Sequence, residues 1–255
     1  MCSVISLSWL CCFPGPVVRC ISHPSKVTLK IILNRPKPLA EKITAEKQTG
    51  FRARRSTTEK KKVNLRILYK NYLQHQQDLY HVFIDYKKAF DKVWHAALPE
   101  IMKKYISTNV IQVIENLYNK ATSAVLFNSS MGDWFRITVG VRQGCLLSPT
   151  LFNIFLERIM TDALEHHEGT VSIGGRTITN LRYADDIGGL AGEEEELATL
   201  VERLNKASTV YGMDSSAEKT KLMTNNASGI NTKIKVNRQK LGTCLLYTSD
   251  AADDC

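Results

Sequence analysis

The sequence predicts a layered domain of mixed structure, α+β or α/β in class, and three observations predict it. Short apolar or β-branched runs alternate along the chain with longer stretches of helical period. No internal repeat interrupts that alternation. The 255 residues are 44% hydrophobic and 23% charged, enough to bury one large core or two small ones.

Taken in order, Met1 to Val18 holds an apolar run, Val4 to Phe13, with no basic residue before it. That makes a poor signal peptide, and the run is too short for a membrane span. Pro14, Pro16, Pro24, Pro36 and Pro38 argue against long helices in the first forty residues and leave one short helix, about Ser25 to Leu33. Ser56 to Gln74 reads as a helix capped by Ser56 or Thr57, with Val63, Ile67 and Leu68 on one face. Leu79 to Tyr86 is nearly continuous in apolar residues, as a buried strand is. Lys88 to Tyr105 and Asn109 to Lys120 read as helices, with Pro99 opening a new segment inside the first. Ser123 to Phe127 and Trp134 to Val139 read as strands joined by a turn. Pro149 opens a helix to about His166. Val171 to Ile173 and Thr177 to Tyr183 read as strands around Gly174-Gly175. Glu193 to Tyr211 is an amphipathic helix with Leu197, Leu200, Val201 and Leu204 on one stripe. Its leading glutamates suit the positive end of the helix dipole.

The net charge of +9 is uneven: Ile21 to Lys70 carries fourteen Lys and Arg against three Asp and Glu, and the sign reverses around Asp185 to Glu202. A basic lobe beside an acidic patch suits a polyanion partner and a metal centre, and equally a solvated basic surface. The seven cysteines form no C-x-x-C pair, so neither a zinc site nor a disulfide-linked partner is expected; a reducing, intracellular setting (nucleus or cytoplasm) is the simpler reading.

Chemistry concentrates on Asp85, at the end of the apolar strand, and on the doublet Asp185-Asp186. A carboxylate at the end of such a strand is costly unless hydrated, paired or bound to metal. Adjacent carboxylates repel, and a divalent cation relieves the repulsion. The alternative is a hairpin turn and a strand-end cap, roles that Asp often fills.

The surrounding residues carry a resemblance. Tyr183-Ala184-Asp185-Asp186 resembles the catalytic hairpin of reverse transcriptases. Val82 to Asp91 resembles the first catalytic motif of LINE-type (non-LTR) enzymes, and Val141 to Pro149 the intervening Q-G-x-x-x-S-P motif. Gln48-Thr49-Gly50-Phe51-Arg52 followed by Ser56-Thr57 resembles the upstream fingers motif. Gly212 and Lys219-Thr220 resemble the motif after the hairpin. Five motifs in family order identify the chain as resembling a truncated RNA-directed DNA polymerase of a non-LTR retrotransposon.

The resemblance implies an α+β right-hand polymerase palm: an antiparallel sheet with helices packed on one face, partial fingers and no thumb. It implies two Mg²⁺ ions, or Mn²⁺, held by Asp85, Asp185 and Asp186, with Asp186 more peripheral and a backbone carbonyl of Phe83, Ile84 or Tyr86 as a further ligand. Lys219 would act as general acid near the leaving pyrophosphate. Phe90, Gln143, Gly144 and Arg52 would meet the nucleotide, Phe90 by excluding a 2′-hydroxyl. Arg54, Arg55, Lys60, Lys61, Arg142 and Tyr183 would meet nucleic acid. The partners implied are an RNA template, a DNA primer and dNTPs, with no membrane. Phe90 and Ala184 speak against two relatives in chemistry, an intron maturase and a viral RNA polymerase.

Three departures shape further expectations. Nothing resembles the endonuclease usually joined to this core. Residues 1–20 read as an unrelated or disordered leader, so the arginine that meets the triphosphate upstream is expected to be missing. Residues 244–255 resemble translated adapter, after fingers over 21–75, palm over 76–225 and the start of a palm-to-thumb connection over 226–243. The chain is therefore expected to extend primers poorly or not at all, and a non-catalytic nucleic-acid-binding remnant is the alternative.

Overall fold

The structure, a computed structural model, describes residues 3–6, 23–52, 58–127, 130–142, 144–226 and 234–245. Strand β1 (Ser3–Ser6) comes first, within the stretch expected to be a leader, and is followed by helix α1 (His23–Leu33). Pro36 and Pro38 then start a short helix rather than prevent one: α2 (Lys37–Ile43) has proline only in its first turn, where no backbone N–H is needed. Helix α3 (Thr58–Gln74) and strand β2 (Tyr80–Ile84) follow; on α3 Leu68 is buried but Ile67, expected on the same face, is 54% exposed, and the expected caps Ser56 and Thr57 lie outside the described residues.

The helix expected over Lys88 to Tyr105 is largely replaced. A single 3₁₀ turn, Ala89–Asp91, precedes α4 (Ala97–Lys103). Lys88 takes a left-handed φ of 53°, and the backbone N–H groups of His95, Gly140 and Val141 donate to Thr138, Val93 and Phe90. These distant bonds satisfy the chain where a helix would have used its own carbonyls.

Helix α5 (Thr108–Asn119) leads into β3 (Thr122–Phe127), β4 (Ser130–Met131) and β5 (Phe135–Arg136). The strand expected over Trp134 to Val139 is thus two residues long, with Val139 bridging separately to Trp94. Helix α6 (Ser148–Leu164) begins at Ser148, whose hydroxyl donates to the Arg142 carbonyl (2.6 Å). The run Thr177 to Tyr183 divides into β7 (Arg176–Thr177), paired with β6 (Ser172–Ile173), and β8 (Asn180–Tyr183). Then come β9 (Asp186–Ala191), α7 (Glu194–Val210), β10 (Lys221–Thr224), the hairpin β11 (Lys235–Val236) and β12 (Gln239–Lys240), and β13 (Gly242–Leu245).

The chain forms two compact units: Met1–Thr44 with Lys88–Arg158, and Ala45–Lys87 with Ile159–Cys255. In the first, β3 pairs with β1, β4 and β5, and Leu98, Met102, Ile114, Leu151 and Phe155 are among its buried residues. In the second, a five-stranded sheet runs β13-β10-β2-β9-β8. The α+β expectation holds, with two differences in detail. β13 joins β10 in parallel, so the sheet is mixed. Helices also lie on both faces.

Side chains alternate across a strand, which sorts that sheet into two faces. On one face Leu197 and Leu200 of α7 lie over Val82 and Gly189, and Leu197, Leu200, Val201 and Leu204 are all buried, as their spacing predicts. On the other, Leu68 and Tyr72 of α3 form a core with Leu79, Val171 and Leu190. Tyr69 of α3 hydrogen-bonds the buried His81 at 3.0 Å. Further along that second face, Phe83 is 39% exposed and Asp186 is exposed. Among the described residues no helix is long and apolar enough to cross a membrane.

Candidate active site

Every residue of the acid cluster belongs to the sheet unit. β8 and β9 form a hairpin in which Tyr183 pairs with Asp186, so Ala184 and Asp185 are the turn. β2 lies antiparallel to β9 with Ile84 opposite Ile187. That is the last pair of the ladder, and Asp85 and Asp186 are the next residues beyond it on the two strands. The lone acid and the doublet therefore lie at the same end of the sheet. Asp85 and Asp185 are half-buried and Asp186 is exposed.

The chain beyond β2 is tied down. The Asp85 carbonyl accepts from the Ser216 N–H (2.8 Å) and the Lys87 N–H donates to Asp214 (2.8 Å). Tyr86 bridges to Ser215 and its hydroxyl bonds Ser208 at 2.7 Å; burial pushes that phenol up to about 12. Phe83 and Ile84 lie in an interior strand, opposite Gly188 and Ile187 of β9.

Lys219 sits with its Nζ 3.8 Å from Asp85 Oδ1 and its side chain 71% exposed. Such a pair contributes only about 0–1 kcal/mol, so it can yield to a stronger cation. Among the described residues no three acidic, His or Cys side chains are gathered into a ready metal cage. The donor set still fits a hard divalent ion: carboxylate oxygens on adjacent strands, open to water on one side.

Ala184 is the strained point of the hairpin. Its φ is 53°, a left-handed conformation that costs a residue with a Cβ about 1–2 kcal/mol. The segment from Ala45 to Arg52 holds it there. Gln48, 1% exposed, donates from Nε2 to the Ala184 carbonyl (3.0 Å), and its Oε1 accepts from the N–H of Ala184 (3.1 Å) and of Gly50 (3.0 Å). Thr49 donates to the Arg182 carbonyl from both its N–H (3.0 Å) and its hydroxyl (3.1 Å). The motif read as fingers thus docks beside β8, in the same unit as the acids.

Arg52, expected at the nucleotide, donates from one nitrogen to the carbonyls of Ala45 (2.8 Å) and Gln48 (3.3 Å) and so closes this loop. Lys47 donates to Thr179 (3.3 Å); burial first, and then the nearby Arg182, lowers its pKa. Arg182 is itself 2% exposed and donates to Asn180 (3.0 Å). Neither the Gln48 contact nor the buried Arg182 was expected from sequence. Tyr183 lies half-buried on the Asp186 face.

Of the other expected residues, Phe90, Arg142 and Gly144 lie in the first unit. Phe90 stacks on Phe152, ring centroids 4.3 Å apart. Arg142 donates to the Leu117 carbonyl (3.0 Å) and lies over the Tyr118 ring. Gly144 takes a φ of 79°, which suits glycine. Lys60 and Lys61 lie on α3. Gln143, Arg54 and Arg55 are outside the described residues.

Comparison with known proteins gives the family. A family model for reverse transcriptase (RNA-dependent DNA polymerase) matches residues 16–243. The chain is 31% identical over 163 residues to a retrovirus-related Pol polyprotein from the type-1 retrotransposable element R2 of Nasonia vitripennis, covering 64% of this chain and 16% of that protein. It is 28% identical over 166 residues to an RNA-directed DNA polymerase from the mobile element jockey of Drosophila funebris, covering 64% and 17%. In fold it is similar to telomerase from Candida tropicalis in complex with a fragment of telomeric RNA, with a TM-score of 0.56, 18% identity, and 84% and 37% of the two chains covered. It spans about a sixth of the length of those two curated relatives. The family match takes in every strand that carries the acids, and the chain belongs to the reverse transcriptase (RNA-dependent DNA polymerase) family, with relatives among non-LTR retrotransposons.

Proposed function

We propose that this chain carries the nucleotidyl-transfer centre of an RNA-directed DNA polymerase, adding dNTPs to a primer 3′-hydroxyl on an RNA template. The observation that supports the reading is the β2–β9 register, whose last pair, Ile84 opposite Ile187, brings the residues flanking Asp85 and Asp186 together, with Asp185 in the adjoining turn. Asp85 and Asp185 would hold the divalent ions, with Asp186 more peripheral. Bound there, such ions lower the pKa of the attacking hydroxyl and offset charge on the leaving pyrophosphate. Lys219, released from Asp85, would deliver a proton from Nζ to a pyrophosphate oxygen. Tyr183, Arg142, Arg54, Arg55, Lys60 and Lys61 are assigned to the nucleic acid, and Gln143, Gly144 and Arg52 to the nucleotide, on the sequence resemblance. Arg52 would have to leave its loop contacts to serve there.

The test is primer extension on poly(rA)·oligo(dT). Incorporation of dTMP is expected to need Mg²⁺ or Mn²⁺ and to vanish in EDTA. Incorporation that survives chelation, or that takes UTP as readily as dTTP, would overturn the reading. Salt-dependent duplex binding with no incorporation in either metal would assign a nucleic-acid-binding remnant instead.

Phe90 has its own readout. Its ring is held by Phe152, and Phe90→Val removes the bulk assigned to excluding a 2′-hydroxyl. Discrimination of that kind is worth about 10–200-fold. UMP incorporation relative to dTMP is therefore expected to rise at least about ten-fold, and an unchanged ratio would leave Phe90 a packing residue only.

A further inference from the structure

We infer that Gln48 is a positioning residue: it locks the turn of the acid-bearing hairpin and so sets where Asp185 sits. Gln48 does not touch the reacting groups. It acts through Ala184, the turn residue immediately before Asp185, and holds both backbone groups of that residue, N–H and carbonyl, with one side chain.

The chemistry selects glutamine. The contact needs an acceptor for two N–H groups and, from the same planar group, a donor for a carbonyl. A primary amide supplies both. A carboxylate only accepts, and an aliphatic or thioether chain does neither. The bonds are buried, so losing them exposes no group to water that could take their place.

Independent features point the same way. Ala184 keeps a left-handed backbone although it is not glycine, a geometry that persists where its surroundings over-determine it. Thr49 adds two bonds to Arg182, just before the turn. Gly50 lies so close to the turn that a Cβ there would come within 2.2 Å of the Ala184 nitrogen. Residues 136 positions upstream therefore act as a template for the turn.

The catalytic consequence rests on the polymerase reading, whereas the hold on the turn does not. The experiment separates them by comparing the chain with its Gln48→Met and Gln48→Glu variants in two ways. Amide exchange across residues 180–190 reads the turn directly. Mn²⁺ affinity, read by electron paramagnetic resonance, reports on the acids. In Gln48→Met the Ala184 amide is expected to exchange at least about ten-fold faster, and Mn²⁺ to bind about 10–100-fold more weakly, as for other groups that orient ligands from behind. The kcat for dTMP incorporation is expected to fall with it.

Gln48→Glu keeps the acceptor. It should protect the Ala184 amide better than Gln48→Met, and this graded order is one a merely misfolded variant would not show. Unchanged exchange at Ala184 in Gln48→Met overturns the proposal, as does unchanged Mn²⁺ affinity alongside a loosened turn. Failure of the unmodified chain to bind Mn²⁺ would instead overturn the metal-centre reading, and faster exchange would still support the hold on the turn.

Discussion

Asp85→Asn is expected to reduce metal-dependent dTMP incorporation by at least about 10²–10³-fold, the scale of losing one preorganised group that stabilises the transition state. The substitution is nearly isosteric and exchanges a hard anionic oxygen for a neutral amide, which divalent ions of this class bind poorly. It does not disturb the core, because Asp85 is half-buried and its main stabilising partner is the exposed Lys219. An exposed pair of this kind contributes about 0–1 kcal/mol, so the urea midpoint should move little. Loss of activity with retained stability is thus the expected pair of results. Activity within about ten-fold of the unmodified chain would remove Asp85 from the chemistry.

The second large effect is on folding. Gly50→Ala places a methyl group 2.2 Å from the Ala184 nitrogen and 2.9 Å from its Cα. Both obstacles are backbone, and Ala184 is held in turn by Gln48, so nothing nearby can yield by a rotamer change. Overpacking of this kind costs about 1–3 kcal/mol. The displaced segment also strains the Gln48 and Thr49 bonds, each worth about 1 kcal/mol. A loss of about 2–4 kcal/mol is expected, or roughly 5–15 °C in melting temperature for a chain of this size. The reason is close approach rather than an unusual φ at Gly50. A change below about 0.5 kcal/mol, the scale of a neutral surface substitution, would mean that the turn does not depend on this contact.

The parts of this fold that could be read from sequence are those decided by local pattern. The stripe of Leu197, Leu200, Val201 and Leu204 faces the sheet as its spacing requires, and the apolar run before Asp85 is a central strand. Where distant backbone groups compete, local reading fails. The stretch after Lys88 has helical composition, yet its backbone is drawn into bonds with Thr138, Gly140 and Val141. The run Thr177 to Tyr183 looks continuous but changes partner from β6 to β9. The same holds at the site. The acids are recognisable because their motifs are short and contiguous. The work of Gln48 depends on a partner 136 residues away, and no local signal marks it. Arg52 carries the charge expected of a phosphate ligand, but its nearest acceptors turn out to be carbonyls of its own loop.

That separation has a consequence for how the protein is made. A chain leaves the ribosome from its N-terminal end at about 5–20 residues per second. Gln48 therefore emerges on the order of ten seconds before Ala184 exists to be held. β2 likewise waits for β9 and β10 on either side of it. The end of the sheet that carries the acids is thus among the last parts that synthesis can complete, and a stalled or shortened nascent chain ending before residue 184 would carry Asp85 without the doublet.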